Sequence, residues 1–228
     1  MTRANPTIRK PETSGSQARA DLIYRTLRNR ICTNRVAPDE VLREEELAGE
    51  FNVSRSPIRR VLAKLEHEGL VEVRHGVGTR VTRIDAAALI EIYDVRMSIC
   101  AQTGPYFAPL TPDHAALFDR HKAAFQALAP GDIHGFADTN LAYYADLTEM
   151  IENACLRDIH RNLFFSTSRM WLIQLPLVDW QRTIDSICEE LDEIIRAIRH
   201  EDPTGLGYAM RSSLAFNIKL FRSAGVAV

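Results

Sequence analysis

Residues 53–60 read VSRSPIRR and place Arg55, Arg59 and Arg60 within six positions of one another. On a helix Arg55 and Arg59, four apart, share one face, while Arg60 shares the adjoining face with Lys64. Ile58, Val61, Leu62 and Leu65 fall on the opposite side, so the same segment has an apolar stripe with which to pack. A helix beginning here presents guanidinium groups and free backbone N–H donors at one end. That combination suits phosphate oxygens, and an arginine can bond guanine O6 and N7 with two parallel hydrogen bonds. The competing reading is an ordinary solvated basic face.

The surroundings weigh against the bland reading. The 228-residue chain has a formal net charge of -2, which by itself would not suggest nucleic acid. That balance hides an asymmetry: residues 1–84 carry 16 lysines and arginines against 11 acids, and residues 85–228 carry 12 against 19. A basic module is joined to an acidic one.

The elements that must position the arginines can be read from spacing. Residues 1–17 are rich in Pro, Ser and Thr without apolar periodicity and read as a flexible tail. From Ala18 the spacing is helical, with Leu22, Ile23, Leu27 and Ile31 in one stripe. VAPDEV makes a turn, residues 44–51 a short helix, and Asn52-Val53 a break. A second helix starts at Ser54 or Ser56, tolerates Pro57 in its first turn and stops at Gly69. LVEVR and GTRVTRI alternate around HGVG and predict a two-stranded hairpin. The Gly-Val-Gly lacks a Walker lysine and a following helix, so a wing turn is favoured over a phosphate loop. Residues 18–84 thus read as a winged helix-turn-helix, a DNA-binding domain.

Residues 85–228 are helical almost throughout. The stripes are Leu89, Ile92, Tyr93 and Ile99; Leu117, Phe118, Phe125 and Leu128; and Ile184, Ile187, Cys188, Leu191, Ile194, Ile195 and Ile198. Prolines punctuate them. The expected fold is mainly α: the winged helix with its small β-hairpin, then an all-α antiparallel helical bundle.

Residues 42–81, LREEELAGEFNVSRSPIRRVLAKLEHEGLVEVRHGVGTRV, resemble the GntR family of bacterial transcription regulators. The resemblance rests on L-x-x-x-x-L-A, VSR-x-P-[IV]-R, L-x-x-x-GL-V and a wing with HG-x-G-T. It implies that Arg55 and Arg59 contact operator DNA, that Ser54 and Ser56 bond phosphates, and that His75 and Gly76 approach the minor groove. Arg43 is a further phosphate contact. Arg60 departs from the glutamate common at that position and adds positive charge. The bundle resembles the effector-binding and dimerisation domain of the FadR-type branch, on Tyr93-x-x-Arg96, Ile151-x-Asn153 and AIRHEDPTGL before a last helix.

Many members of that branch hold a divalent metal through one Asp and three His, the first two spaced D-x-x-x-H. Aligned on Asn153, the first two positions fall at Asn140 and Tyr144; aligned on Ala197-Ile198 and Asp202, the others fall at Leu191 and Ser213. None is a usual metal ligand. The expectation is a metal-free effector pocket without cofactor, in which Asn140, Tyr144 and Ser213 supply polar groups and Arg96 the charge for an acidic ligand. A network of these groups bonding only to one another is the alternative.

Other classes are disfavoured. No Ser-His-Asp, Cys-His or paired-carboxylate set stands at catalytic spacing, so the chain reads as no enzyme. Glu189-Glu190 and Asp192-Glu193 read as the solvated face of an isoleucine-rich helix, and Phe164, Phe165, Trp171 and Trp180 as core or dimer interface. Cys32, Cys100, Cys155 and Cys188 are scattered and read as buried free thiols. No apolar run approaches a membrane span, and the expected location is cytoplasmic. The overall expectation is a homodimeric repressor of a palindromic operator, responding to a small organic acid. An acyl-CoA effector, a bundle that only dimerises, and a metabolite-binding protein or enzyme are the alternatives.

Overall fold

The computed structural model describes residues 13–74, 76–83 and 86–223. Helix α1 (Thr13–Cys32) leads to strand β1 (Val41–Leu42), α2 (Glu44–Glu50), α3 (Arg55–His67) and the strands β2 (Val71–Arg74) and β3 (Gly78–Val81). The tail is therefore shorter than its composition suggests: residues 13–17 already form the first turn of α1, where the Gln17 amide bonds Asp21 one turn on. The remainder of the expected tail, residues 1–12, lies outside the described residues. Of the expected stripe, Ile23, Leu27 and Ile31 are buried and Tyr24 joins them, whereas Leu22 is exposed.

Two chain reversals set the helix-turn-helix. After α2, Asn52 takes a left-handed φ of 50° and Val53 N–H bonds Ala48 O; after α3, Gly69 does the same at 72°, with Leu70 N–H on Leu65 O. Both are Schellman-type endings, which favour Gly and next Asn. The hairpin gains a third strand absent from the expectation. β1 pairs antiparallel with β3, giving the order β1-β3-β2, with Val41 opposite Arg80 and Leu42 opposite Thr79. Two residues inside a turn-like sequence carry no period, so only the pairing reveals them.

The second domain comprises α4 (Ala86–Gln102), α5 (Pro112–Gln126), α6 (Ile133–Glu149), α7 (Ala154–Gln174), α8 (Trp180–Arg199) and α9 (Pro203–Ser223). The expected isoleucine stripe of α8 is buried, and Leu191, Ile194 and Ile198 are at most 1% exposed. His114 completes a capping box with Thr111 at the start of α5, and His121 bonds Asp146 at 2.7 Å. Cys32, Cys100 and Cys188 are buried free thiols, but Cys155 is exposed. No helix of the described residues is long and apolar enough to cross a membrane.

The domains are also joined away from the chain crossing. Arg35 holds Asp138 through two bonds of 2.8 Å, and the buried Arg169 of α7 donates to Thr82 O at 2.6 Å and to Thr82 Oγ1 at 3.2 Å.

Helices α4 and α9 approach so closely that a Cβ on Gly207 would lie 2.6 Å from Cys100 O. Gly207→Ala forces two backbones apart, and overpacking of this kind typically costs about 1–3 kcal/mol. The expected result is a lower urea midpoint at unchanged m-value. An unchanged midpoint would show that the two helices slide without penalty.

Candidate DNA-reading helix and buried effector cavity

Ser54 is the N-cap residue of α3, and its hydroxyl makes no capping bond. Arg55, Ser56, Arg59 and Arg60 are exposed at the start of the helix. Ile58, Val61, Leu62 and Leu65 are buried behind, as the stripe requires. Three arginines expected to touch DNA already have carboxylate partners in the first turn of α2. Arg59 Nε meets Glu44 at 2.7 Å, Arg55 Nη2 meets Glu45 at 3.0 Å, and Arg43 Nη1 meets Glu46 at 2.9 Å. Arg60 has no ion pair among the described residues. In the wing, Gly76 and Gly78 adopt φ of 78° and 105°, conformations that favour glycine, and Val77 between them is exposed. His75 lies outside the described residues.

Inside the bundle, Arg96, Asn140, Tyr144 and Ser213 come from α4, α6 and α9 to line one cavity of about 50 Å³. Cys100, Tyr143, Phe164, Thr167, Glu190 and Asn217 complete much of its wall. Arg96 is 6% exposed and donates to Thr167 Oγ1 at 2.6 Å. Its guanidinium lies over the rings of Tyr93, Tyr144 and Phe164 at 5.4, 5.5 and 5.7 Å. Its Nε is buried without a partner, and no carboxylate pairs with it among the described residues.

One sequence reading needs correction here. Leu191, aligned with a ligand position but read as part of the buried stripe, is fully buried in the α8 core and does not line the cavity. Its neighbour Glu190, read as solvation, does line it: its carboxylate accepts from Tyr143 at 2.7 Å and from Ser213 at 2.5 Å. Helical periodicity assigned Glu190 to the polar face because it steps over a locally polar interior. Burial raises its pKa against the lowering effects of those two hydrogen bonds and of Arg96. Phe164, grouped with core aromatics, stacks on Tyr144 with ring centroids 3.9 Å apart and 8° between planes. Trp180 instead meets Phe136 edge-on, and the Trp171 side chain lies outside the described residues.

His160 was not anticipated either. Buried at 2% exposure, it bonds Thr103 Oγ1 through Nε2 at 2.8 Å, while the Thr103 hydroxyl itself donates to Ile99 O. That assigns the proton to Nε2 and leaves Nδ1 to face the Tyr144 hydroxyl at 3.5 Å. Burial, then the charge of Arg96, lowers the imidazole pKa to about 4. Burial likewise raises Tyr144 to about 12, against the lowering influence of Arg96.

The comparisons with known proteins match both halves. Residues 19–81 match the model of bacterial regulatory proteins, gntR family, and residues 91–216 match that of the FCD domain. The chain belongs to the GntR family, in its FadR-type architecture.

This GntR regulator is 26% identical over 189 residues to the gluconate operon transcriptional repressor of Bacillus subtilis, covering 77% of the chain and 74% of that protein. It is 39% identical over 88 residues to an uncharacterized HTH-type regulator in an unstable DNA locus of Streptomyces ambofaciens, a match covering 39% of the chain and 37% of that protein's length. Among solved structures, E. coli McbR/YncC superposes with a TM-score of 0.74 at 16% identity, over 90% of this chain and 97% of the other. The last likeness is one of fold.

The metal that the FadR-type branch often carries finds poor ligands in this GntR regulator. Two amides, five hydroxyls, a thiol and one carboxylate line the cavity, and the carboxylate already accepts from Tyr143 and Ser213. Among the described residues no three His, Cys, Asp or Glu side chains cluster. The residues present do not fit a divalent ion.

The His160 environment has a pH signature. An imidazole whose pKa falls from 6.5 to about 4 on folding stabilises the native state fully above 6.5, and that contribution is lost as pH falls through 4. The shift corresponds to at most about 3 kcal/mol. Glu190, raised above its ordinary 4.5, acts with the opposite sign, so the comparison is between parent and His160→Gln at each pH. The stability difference between the two should shrink from pH 7 to pH 4.5; a constant difference would show that His160 does not stay neutral in the fold.

Proposed function

We propose that this transcription regulator is a homodimeric repressor whose two α3 helices read the half-sites of a palindromic operator, and whose bundle binds a small carboxylate effector without metal. A lone winged helix buries too little DNA surface for specific affinity, and two-fold pairing supplies the second half-site. The relatedness to a gluconate operon repressor supports the sign of regulation and a compact, hydroxylated acid as ligand.

One observation carries the effector reading: Arg96 is a buried guanidinium bonded to the Thr167 hydroxyl, with an orphaned Nε and no carboxylate partner among the described residues. An unpaired buried charge costs several kcal/mol, and a ligand carboxylate would offer the two acceptors a guanidinium matches best. The cavity has room for only one or two waters as it stands. A ligand therefore selects a wider arrangement of its wall, which is what couples occupancy to shape.

The wall that must move faces the DNA-binding domain. Tyr144 and Phe164 also line a cleft between the domains, together with Tyr24, Arg28, Lys64 and Glu68. Phe165, edge-on to Phe164 at 5.5 Å, carries the Arg28 guanidinium 3.8 Å above its ring. Arg28 donates to the Tyr24 hydroxyl, which donates to Glu68 at the end of α3, and Lys64 of α3 sits 3.6 Å over the Tyr24 ring. A change at Tyr144 thus has a contiguous packed route to the reading helix.

Two experiments test this reading. In thermal unfolding, D-gluconate and related small carboxylates at 100 times Kd should stabilise the parent by about 2.7 kcal/mol. Arg96→Ala should not respond, and an equal response in that variant removes Arg96 from the site. On DNA, Arg55→Ala and Arg59→Ala should each lose about 1–3 kcal/mol of operator affinity and relax base preference. Unaltered affinity and preference in both would place the reading surface elsewhere.

A further inference from the structure

The ion pairs on the DNA-facing surface form a pattern that packing does not require. Glu44, Glu45 and Glu46 are consecutive in the first turn of α2, and each reaches a different arginine: Arg59, Arg55 and Arg43 respectively. Acids at a helix N-terminus favour the helix dipole, but a dipole does not direct three side chains to three separate cations. Nor do the pairs hold the fold together. Both members of the Arg55–Glu45 and Arg43–Glu46 pairs are exposed, and exposed ion pairs contribute little stability. Their consequence is in the field at the surface. Arg43, Arg55, Arg59 and Arg60 set against these three glutamates leave one formal positive charge where four arginines stand.

We propose that Glu44, Glu45 and Glu46 are a built-in counter-charge that holds the reading arginines away from DNA of the wrong sequence. The proposal rests on the reading of α3 as the DNA-binding helix. Non-specific affinity comes almost wholly from cations that neutralise phosphates and release counterions. An arginine held by a neighbouring carboxylate gains little by exchanging it for a phosphate, since one anion replaces another. It gains more at an operator, where guanine offers two acceptors in the plane of the guanidinium. The carboxylates thus subtract from binding at every sequence, while base contacts restore it at the correct one. Specificity is the difference between the two affinities, and penalising the wrong partner raises it as surely as favouring the right one.

The test uses the full chain with the substitutions E44Q, E45Q and E46Q, singly and together. Each keeps the side-chain shape on an exposed surface, and circular dichroism and melting confirm the fold. Fluorescence anisotropy against a random-sequence duplex is read across a salt series. The triple variant should bind that duplex about 10-fold or more tightly at moderate salt, and its salt dependence should steepen by up to about 0.9 for each arginine released. Affinity for an operator selected from a random library should rise less, so the ratio of operator to random binding falls. The effect of E45Q should vanish in an Arg55→Ala background, because it acts through that pair.

Random-duplex affinity and salt slope that stay at the parent's values in the triple variant would overturn the proposal. So would an E45Q gain that persists without Arg55, which would show general charge rather than a directed pair. Joint replacement of Arg55 and Arg59 separates the two levels. If that change leaves DNA binding of the parent untouched, the reading of α3 fails and the counter-charge falls with it. If it weakens binding while the glutamine variants do nothing, only the counter-charge falls.

Discussion

A guanidinium buried without an ionic partner among the described residues sets the character of the second domain's cavity. Arg96 of α4 meets aromatic faces from Tyr93, Tyr144 and Phe164, and the Thr167 hydroxyl it bonds belongs to α7. Aromatic quadrupoles offset part of the desolvation of a cation without neutralising it, so the charge persists where an acid would have cancelled it. The surrounding groups answer to that charge. His160 is kept neutral partly by it, and Glu190 lies across the cavity with its oxygens occupied by Tyr143 and Ser213 instead of Arg96. Had Glu190 closed on Arg96, the cavity would be an internal ion pair with no preference for an added anion.

The tight contact of α4 with α9 makes this arrangement possible. Gly207 lets the two helices approach until only backbone separates them, and that places Ser213 of α9 on the same cavity as Arg96. On the other side the Tyr144–Phe164 stack lines the cavity with flat rings. Phe164 abuts Phe165, which carries Arg28, and through Arg28 and Tyr24 the contacts reach Glu68 at the end of α3, so a displacement of the cavity wall would pass along packed side chains. Close-packed interiors respond to such displacement by switching between discrete arrangements rather than by yielding smoothly.

Much of this was legible in the residues, and the gaps have physical causes. Helix α3 declared itself because Ile58, Val61, Leu62 and Leu65 keep strict helical spacing against arginines on the other face. Gly69 and Asn52 declared the chain reversals because few residues tolerate positive φ. Strand β1 could not be seen, since two residues have no period and exist as a strand only through β3. Glu190 was hidden for a subtler reason: periodicity separates polar from apolar, and a bundle with a polar cavity turns a polar residue inward at the very position the rule assigns to solvent. The relation between Glu44–Glu46 and the arginines was likewise invisible, because it lies between two helices at an angle that no spacing within either encodes. Spacing shows what an element can bury; it does not show what two elements hold between them.

The two ends of the molecule invert the ordinary economy of charge in complementary ways. Exposed arginines usually stay solvated and buried ones usually find a carboxylate. Here the exposed Arg43, Arg55 and Arg59 are paired, and the buried Arg96 has no carboxylate partner among the described residues. On the proposed reading the outer pairs would lower affinity for any polyanion, so that sequence must supply the difference. The inner charge would raise affinity for any small anion that can enter, so that size and hydroxyl placement must supply the selection. A regulator needs both, since it must ignore most of the DNA and most of the acids around it. In the proposed mechanism the discriminating group at both ends is a guanidinium, which exchanges a carboxylate at the surface and gains one in the bundle, and its two parallel donors in one plane are what a correct ligand would match.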